Sequence, residues 1–188
     1  MKKFFTFLVS ITITFSYTVA QDAGFDFDYA QFAYDSTSNY VEIYYVFDQG
    51  KLSIVNKEGE NLVEAVLSIQ ITDSTTSDTL VNNQWFIRHP VESLETISQS
   101  LVGVVSFILP KGTLECIIKG TDLNKDSNSR TITEFIRVKP LINSSASISD
   151  IQLASKMIQG SENKNSVFYK NTYEVIPIPN LVFGGNQP

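Results

Sequence analysis

The sequence has 188 residues, a formal net charge of −6 at pH 7, one cysteine and one histidine. A chain of this length can bury enough apolar surface for one ordinary core, so we expect one domain. An acidic chain lacks the excess of Lys and Arg that neutralises phosphates, which argues against nucleic acid and anionic lipid as partners. A single cysteine excludes an internal disulfide.

The first 20 residues have the layout of a secretory signal peptide. Residues 1–3 are a short basic start, residues 4–15 are apolar or hydroxylic, and residues 18–20 place small side chains where signal peptidase binds. Cleavage is therefore predicted before Gln21, leaving 168 residues with a formal charge of −8. No later stretch is long enough for a transmembrane segment. Cys116 lies far from the cleavage site, so the protein is not expected to be a lipoprotein.

Most of the remaining chain alternates apolar and polar residues with a period of two, which is typical of β-strands. Strands are predicted at 39–47, 51–56, 62–72, 79–88, 100–109, 113–119 and 131–139. Asp48-Gln49-Gly50 predicts a hairpin turn between the first two strands, and His89-Pro90 ends the fourth. Short strands separated by turn signals predict an all-β fold, an antiparallel immunoglobulin-like β-sandwich spanning residues 21–183.

Two strands indicate their buried faces directly. In 62–72, one face carries only apolar residues, and the opposite face is expected to meet solvent. The apolar set is Val63, Ala65, Leu67, Ile69 and Ile71, and the solvent set is Glu64, Ser68 and Gln70. In 113–119, Leu114, Cys116 and Ile118 are expected to point inward. Residues 91–97 are either a helical turn or irregular, residues 147–155 are either a short strand or a helical turn, and residues 184–188 have a linker-like composition.

Several segments together resemble a known family. The start at 25–29 (FDFDY), the strand at 41–45 (VEIYY), and the later segments at 149–154 (SDIQLA) and 175–180 (VIPIPN) resemble the N-terminal region of exported bacterial proteins named for a GWxTD domain. The naming motif is absent, since Trp85 lies in Asn-Gln-Trp-Phe, and in the family that motif lies further downstream. The resemblance implies export to the periplasm or cell exterior, and it implies the N-terminal part of a longer protein.

One loop has the spacing of a calcium site. Oxygen-bearing side chains alternate along it at Asp122, Asn124, Asp126 and Asn128. Ca²⁺ takes about six to eight oxygen ligands, so calcium is the one cofactor that the sequence suggests. Ser127 replaces the glycine of the sharp turn, and the closing acid Glu134 comes one position late. The alternative is a hairpin tip in which Asp and Asn serve only local hydrogen bonds.

The strand at 39–47 carries a candidate interaction strip. If its odd-numbered residues face the core, then Tyr40, Glu42 and Tyr44 share the opposite face. Two tyrosines flanking a carboxylate could dock a protein or stack on a sugar. The alternative is that this face is also buried, beneath the aromatic C-terminal segment at 167–178.

Catalysis has little support, so we do not expect an enzyme. His89 would be the sole base for any nucleophile, and Cys116 alternates with apolar residues as a small buried side chain does. One histidine and one cysteine are too few for an ordinary zinc site. The acidic pairs Asp26/Asp28 and Glu58/Glu60 are interpreted as solubilising charges.

These features predict a non-catalytic exported module with a structural or protein-interaction role in the bacterial envelope. Its expected partner is another envelope or secreted protein. The alternative is a carbohydrate-binding module in which exposed rings such as Tyr40, Tyr44 or Trp85 stack on sugars. The two hypotheses differ in whether those rings are exposed.

Overall fold

A computed structural model describes residues 22–91, 100–143 and 146–180. Its strands are β1 (Phe25–Ala33), β2 (Ser38–Asp48), β3 (Ile54–Lys57), β4 (Glu60–Asp73), β5 (Thr79–Pro90), β6 (Ser100–Pro110), β7 (Gly112–Asp122), β8 (Ser129–Val138), β9 (Ala154–Gln159), β10 (Tyr169–Lys170) and β11 (Tyr173–Pro177). Short 3-10 turns occupy Gln49–Lys51 and Leu141–Asn143. Within these ranges, no helix has the length and apolar character needed to cross a membrane.

The strands form three antiparallel sheets. The first has the order β1-β2-β6. In the second, which has five strands, β4 pairs with β5 along one edge and with β3 and then β7 along the other, and β8 pairs with β7. The third is a small sheet near the C-terminus with the order β10-β11-β9. The predicted all-β fold class, an antiparallel β-sandwich, is confirmed, and the arrangement is consistent with the immunoglobulin-like form that the sequence predicts.

The main core lies between the three-stranded and the five-stranded sheets. The predicted inward faces of β4 and β7 are confirmed, because every apolar residue assigned to them is at most 1% exposed. On β2, Val41, Ile43 and Phe47 complete this core, and the ring of Phe47 lies 4.9 Å from that of Phe25 on β1. Removal of this apolar surface from water is the main driving force for the two sheets to pack.

The small third sheet covers the other face of β2. Glu42, Tyr44 and Val46 point away from the main core, yet each is at most 7% exposed. Lys170 on β10 reaches Glu42, and Val46 lines a groove together with Pro177 of β11. The central strand of the three-stranded sheet is therefore buried on both faces. The tail, for which the sequence allows either a strand or a helical turn, is irregular over 146–153 and becomes β9 at Ala154.

Three local predictions need correction. The turn at Asp48-Gln49-Gly50 is not a hairpin turn, because β2 pairs with β1 and β6 whereas β3 pairs with β4. Asp48 caps a 3-10 turn by accepting from Gly50 N at 2.9 Å, and the chain crosses there to the other sheet. Glu64 is not on the solvent side, being 2% exposed. Strand β1 is absent from the strands that the sequence predicts.

Two segments with uncertain predictions lie outside the described residues. They are residues 91–97, of which only Val91 is described, and the linker-like end at 184–188.

Close packing at Gly120 on β7 gives a test of the core. A Cβ atom at Gly120 would lie 2.3 Å from Cγ of Phe25, which is closer than such atoms can approach. Gly120→Ala should therefore lower the free energy of unfolding by about 1–3 kcal/mol in urea denaturation, since an overfilled core must shift. The double variant Gly120→Ala/Phe25→Leu should lose less than the two single losses combined. An unchanged urea midpoint for Gly120→Ala would show that the two sheets pack differently.

Candidate functional site

The predicted interaction strip on β2 is covered. Glu42 is 7% and Tyr44 2% exposed, and only Tyr40 keeps part of its surface in solvent. The hydroxyl of Tyr40 donates to Ser106 Oγ on β6 at 2.8 Å. The alternative of burial beneath the C-terminal segment is therefore confirmed for Glu42 and Tyr44. The strip is not an open docking surface, because its central carboxylate and one of its two rings are enclosed.

A polar cluster fastens the C-terminal segment to β2, and Lys170 is at its centre. The ammonium of Lys170 forms an ion pair with Glu42 and donates to Gln152 Oε1 at 2.7 Å. It also lies 5.3 Å from the ring centroids of both Phe32 and Tyr44, within cation–π range. Glu42 Oε2 in turn accepts from the Tyr44 hydroxyl. Burial, together with the bond to the Glu42 carboxylate, raises the pKa of Tyr44 above its ordinary value, so this phenol stays protonated as a donor.

This cluster includes residues that the sequence analysis missed, namely Lys170, Gln152 and Phe32. Two signals could have indicated it. Glu42 is the lone acid in an aromatic and β-branched strand, and Lys170 is the lone base in the aromatic segment 167–178. Buried charges are normally paired, so two isolated opposite charges in apolar surroundings are candidates to meet.

The predicted calcium loop connects β7 to β8 and is held by its first residue. Asp122 is fully buried, and its Oδ2 accepts from Ser53 N at 2.7 Å and from Asn128 Nδ2 at 3.2 Å. Its Oδ1 accepts from Asn124 N at 2.9 Å, which is the local bond expected of an Asx-rich tip. Both oxygens of the predicted first ligand are therefore occupied by N–H donors. The structure favours the hairpin-tip alternative over a calcium site.

The remaining predicted calcium ligands do not converge on a common point. Asn128 donates to Lys51 O at 2.7 Å, Asn124 donates to Glu64 Oε2 at 3.4 Å, and Asp126 is exposed. Of these side chains, Asn128 keeps a buried oxygen, Oδ1, without a hydrogen-bond partner among the described residues. Within the described ranges, no three acidic, histidine or cysteine side chains group closely enough to hold a metal ion. The loop contacts instead join three separate parts of the chain.

Glu64 forms a second polar cluster beside this loop. It is paired with Lys57 and, at 2.9 Å, with Arg88, and these longer side chains cover it. The bond to the Lys57 ammonium holds the pKa of Glu64 below its usual value. This explains why a residue predicted to face solvent is buried, since neighbouring cations replace the water that a carboxylate needs.

The other candidate residues are also accounted for. The Trp85 ring is partly buried and packs against Phe107 beside the core, with 6.1 Å between the ring centroids, so it is not a free stacking platform. Cys116 is fully buried, and burial raises the pKa of its thiol to about 12. Cys116 lies opposite Ile71 of β4, whereas His89 lies opposite Val63 on the other edge of that strand. Eight residues of strand separate these positions by about 26 Å, so the two side chains cannot act as a nucleophile–base pair.

The two lateral sides of the sandwich differ, and we call them the closed and the open side. The closed side is formed by β1 and β8. Arg130 NH1 on β8 donates to Phe25 O on β1 at 2.8 Å, and Gln31 Nε2 on β1 donates to Arg137 O at 3.2 Å. Asp150 also bonds to the backbone of β1. Its Oδ2 accepts from Gln31 N at 2.9 Å, and its backbone amide donates to Gln31 O at 3.1 Å.

The open side is formed by β5 and β6. They meet through the side chains of Trp85 and Phe107, and in the described part of the chain each pairs with only one other strand. Strand β6 has the sequence SLVGVVSFILP, which contains no charged residue, and on it Ile108 is 51% exposed. Strand β8 on the closed side carries Arg130, Glu134 and Arg137. Charged side chains are the usual protection of a sheet edge, so β6 is the unprotected edge.

No protein-family model, curated protein or solved structure matches this chain. Function is therefore inferred from the contacts, charges and exposed surfaces of the described residues.

The ion pair between half-buried Lys170 and buried Glu42 predicts how the C-terminal segment is held. Lys170→Met keeps the length of the side chain but leaves Glu42 buried without its cation, so the free energy of unfolding should fall by about 1–3 kcal/mol. Amide hydrogen exchange should accelerate across β9 to β11 when followed by mass spectrometry. Lys156→Met, at an exposed position of β9, is the matched control and should leave both measurements unchanged. Equal effects of the two variants would contradict a specific role for Lys170.

Substitutions at Asp122 and Asp126 distinguish the structural interpretation of the loop from the calcium-site interpretation. Asp122→Asn places an amide against three N–H donors and should lower the free energy of unfolding by about 1–3 kcal/mol, whereas exposed Asp126→Asn should change it by less than about 0.5 kcal/mol. Thermal unfolding of the unsubstituted chain should be the same with millimolar Ca²⁺ as with chelator. A calcium-dependent shift that both substitutions abolish would restore the calcium site.

Proposed function

We propose that this chain is an exported, non-catalytic β-sandwich module that binds another envelope or secreted protein by pairing with a strand at the edge of β6. The observation that carries the proposal is the uncharged 11-residue strand β6, which pairs only with β2 in the described part of the chain. The backbone groups along the outer edge of such a strand can extend the sheet with a strand from a partner.

The contrast between the two sides supports this choice of edge. The closed side is crossed by polar bonds and carries charges, both of which hinder strand addition. In the part of the chain that the structure describes, β6 carries no charge and no polar side-chain bond joins it to β5, and β5 carries only Arg88 and His89 as ionisable residues. Strand addition needs backbone hydrogen bonds and apolar contacts, and β6 offers its apolar side chains beside an outer edge that pairs with no other described strand.

Export and family membership are parts of the proposal that the sequence supports. The basic, apolar and small-residue order of the first 20 residues supports cleavage before Gln21. The segments that resemble GWxTD-type proteins support a place in the bacterial envelope as the N-terminal part of a longer chain. The separation of Cys116 from His89, which would be the sole base for that nucleophile, supports a non-catalytic role.

The carbohydrate-binding alternative built on Tyr40, Tyr44 and Trp85 is not retained. Tyr44 is covered by the C-terminal segment, and Trp85 packs against Phe107. A sugar platform needs accessible ring faces, which these two residues do not offer.

Site-specific photocrosslinking in the native cell tests the proposal. Benzophenone side chains are introduced at Ile108 on β6 and, as a matched control, at Phe135 on β8, which are 51% and 58% exposed. The Ile108 variant should form an adduct with one other envelope or secreted protein, and mass spectrometry should find Gln21 at the N-terminus of the module. The Phe135 variant should form no such adduct. Equal crosslinking at both positions, or none at Ile108, would contradict partner binding at β6.

A further inference from the structure

The outer face of the five-stranded sheet carries a two-row polar floor that belongs to none of the sites above. The strand register aligns Gln84, Ser68, Lys119 and Thr131 across β5, β4, β7 and β8. It aligns Asn82, Gln70, Ile117 and Thr133 in the next outward-facing row. Four strands make this floor about 14 Å wide, and the rows lie about 7 Å apart. A shallow groove of about 390 Å³ runs over it.

The floor combines hydrogen-bonding capacity with near neutrality. The side chains of Gln84, Ser68, Thr131, Asn82 and Gln70 form no hydrogen bond with another described residue, so their donors and acceptors are free to meet a ligand. Amide and hydroxyl groups can each donate and accept. Among the eight positions of the two rows, Lys119 carries the only charge, although the whole chain is acidic with a net charge of −6.

An exposed ring and a loop border the floor at one end. Phe86 lies two residues from Gln84 on the same face of β5 and is 74% exposed, the largest exposure among the aromatic residues with large exposed surfaces. Across the sheet from it, Leu123 and Asp126 of the β7–β8 loop line the groove. The buried Asp122 holds this loop in place through Ser53. Amides, hydroxyls and the Asp126 carboxylate thus line the groove, and the exposed ring of Phe86 lies beside it on β5, opposite the groove residue Val66.

We infer that this floor binds a neutral polysaccharide chain. One sugar ring of the polysaccharide stacks on Phe86, and hydroxyls along the polysaccharide bond to Gln84, Ser68 and Asn82. Charge complementarity selects this ligand class, because the acidic chain repels anionic polymers and the nearly uncharged floor offers no set of ions to pair with a charged peptide. A polyol both donates and accepts hydrogen bonds, as the floor does. The site lies on the sheet opposite β6, so it is independent of the proposed protein partner.

Affinity electrophoresis of the full chain against a panel of polysaccharides tests this site. Native gels are cast with neutral polysaccharides, namely mixed-linkage β-glucan, arabinoxylan, glucomannan and dextran, and with polygalacturonate as the anionic comparison. At least one neutral polymer should retard the chain, and polygalacturonate should not. Phe86→Ala should weaken the retarding interaction about tenfold, as expected for loss of one stacked ring. Gln84→Ala should weaken it about threefold.

Met157→Ala is the matched control, because it removes a 63% exposed apolar side chain from β9 of the third sheet, away from both proposed binding surfaces. It should leave the retardation unchanged, and circular dichroism should show that all three variants fold, since the substituted residues are exposed. The inference is overturned if no neutral polysaccharide retards the chain, if polygalacturonate retards it equally, or if Phe86→Ala binds as well as the unsubstituted chain. Loss of crosslinking at β6 would not affect this result, so the two proposals fail separately.

Discussion

Burial of β2 on both faces is the constraint on which the rest of the structure depends. One face packs Val41, Ile43 and Phe47 against the five-stranded sheet, and the other presents Glu42 and Tyr44 to the C-terminal segment. A carboxylate in that position must be paired, which Lys170 achieves from β10. The C-terminal segment is thus an integral third layer of the domain. Because this segment covers Glu42 and Tyr44, a surface for partners must lie elsewhere.

Alternation predicted the parts of the fold where one face meets the core and the other meets solvent. Strands β4 and β7 follow this rule, so their inward residues could be identified from the sequence. The rule does not indicate which strands pair. The turn after Asp48 has hairpin composition, but Asp48 caps a 3-10 turn that carries the chain to the other sheet. Composition specifies a change of direction, whereas tertiary packing decides which strand becomes the neighbour.

Buried charges were the least predictable part of the candidate site. Glu64 lies on the polar face of an alternating strand and was therefore expected in solvent, yet Lys57 and Arg88 enclose it. Asp122 has the spacing of a calcium ligand, yet backbone amides from Ser53 and Asn124 occupy its oxygens. In each case the decisive partner is distant in sequence or belongs to the backbone. Side-chain spacing along one segment therefore cannot distinguish a metal ligand from a structural hydrogen-bond acceptor.

The remaining surfaces have separate chemical characters. The closed side uses Arg130, Gln31 and Asp150 to bond β1 and β8 to their surroundings, which leaves the uncharged β6 as the accessible edge. The outer face of the five-stranded sheet is polar but nearly uncharged, with Phe86 at its border. An edge that offers backbone groups suits a protein strand, and a face that offers free amides suits a polyol. One sandwich can thus present two independent binding surfaces.

Amide hydrogen exchange across the intact chain, followed by mass spectrometry, tests the central claim most directly. A strand enclosed on both edges and both faces should exchange slowly throughout, whereas an edge strand bonded to one neighbour should release about half of its amides quickly. We therefore predict uniformly slow exchange for β2 and a rapid first phase for β6. Exchange of β2 as fast as that of β6 would contradict the enclosure of β2, and uniform protection of β6 would contradict the open edge.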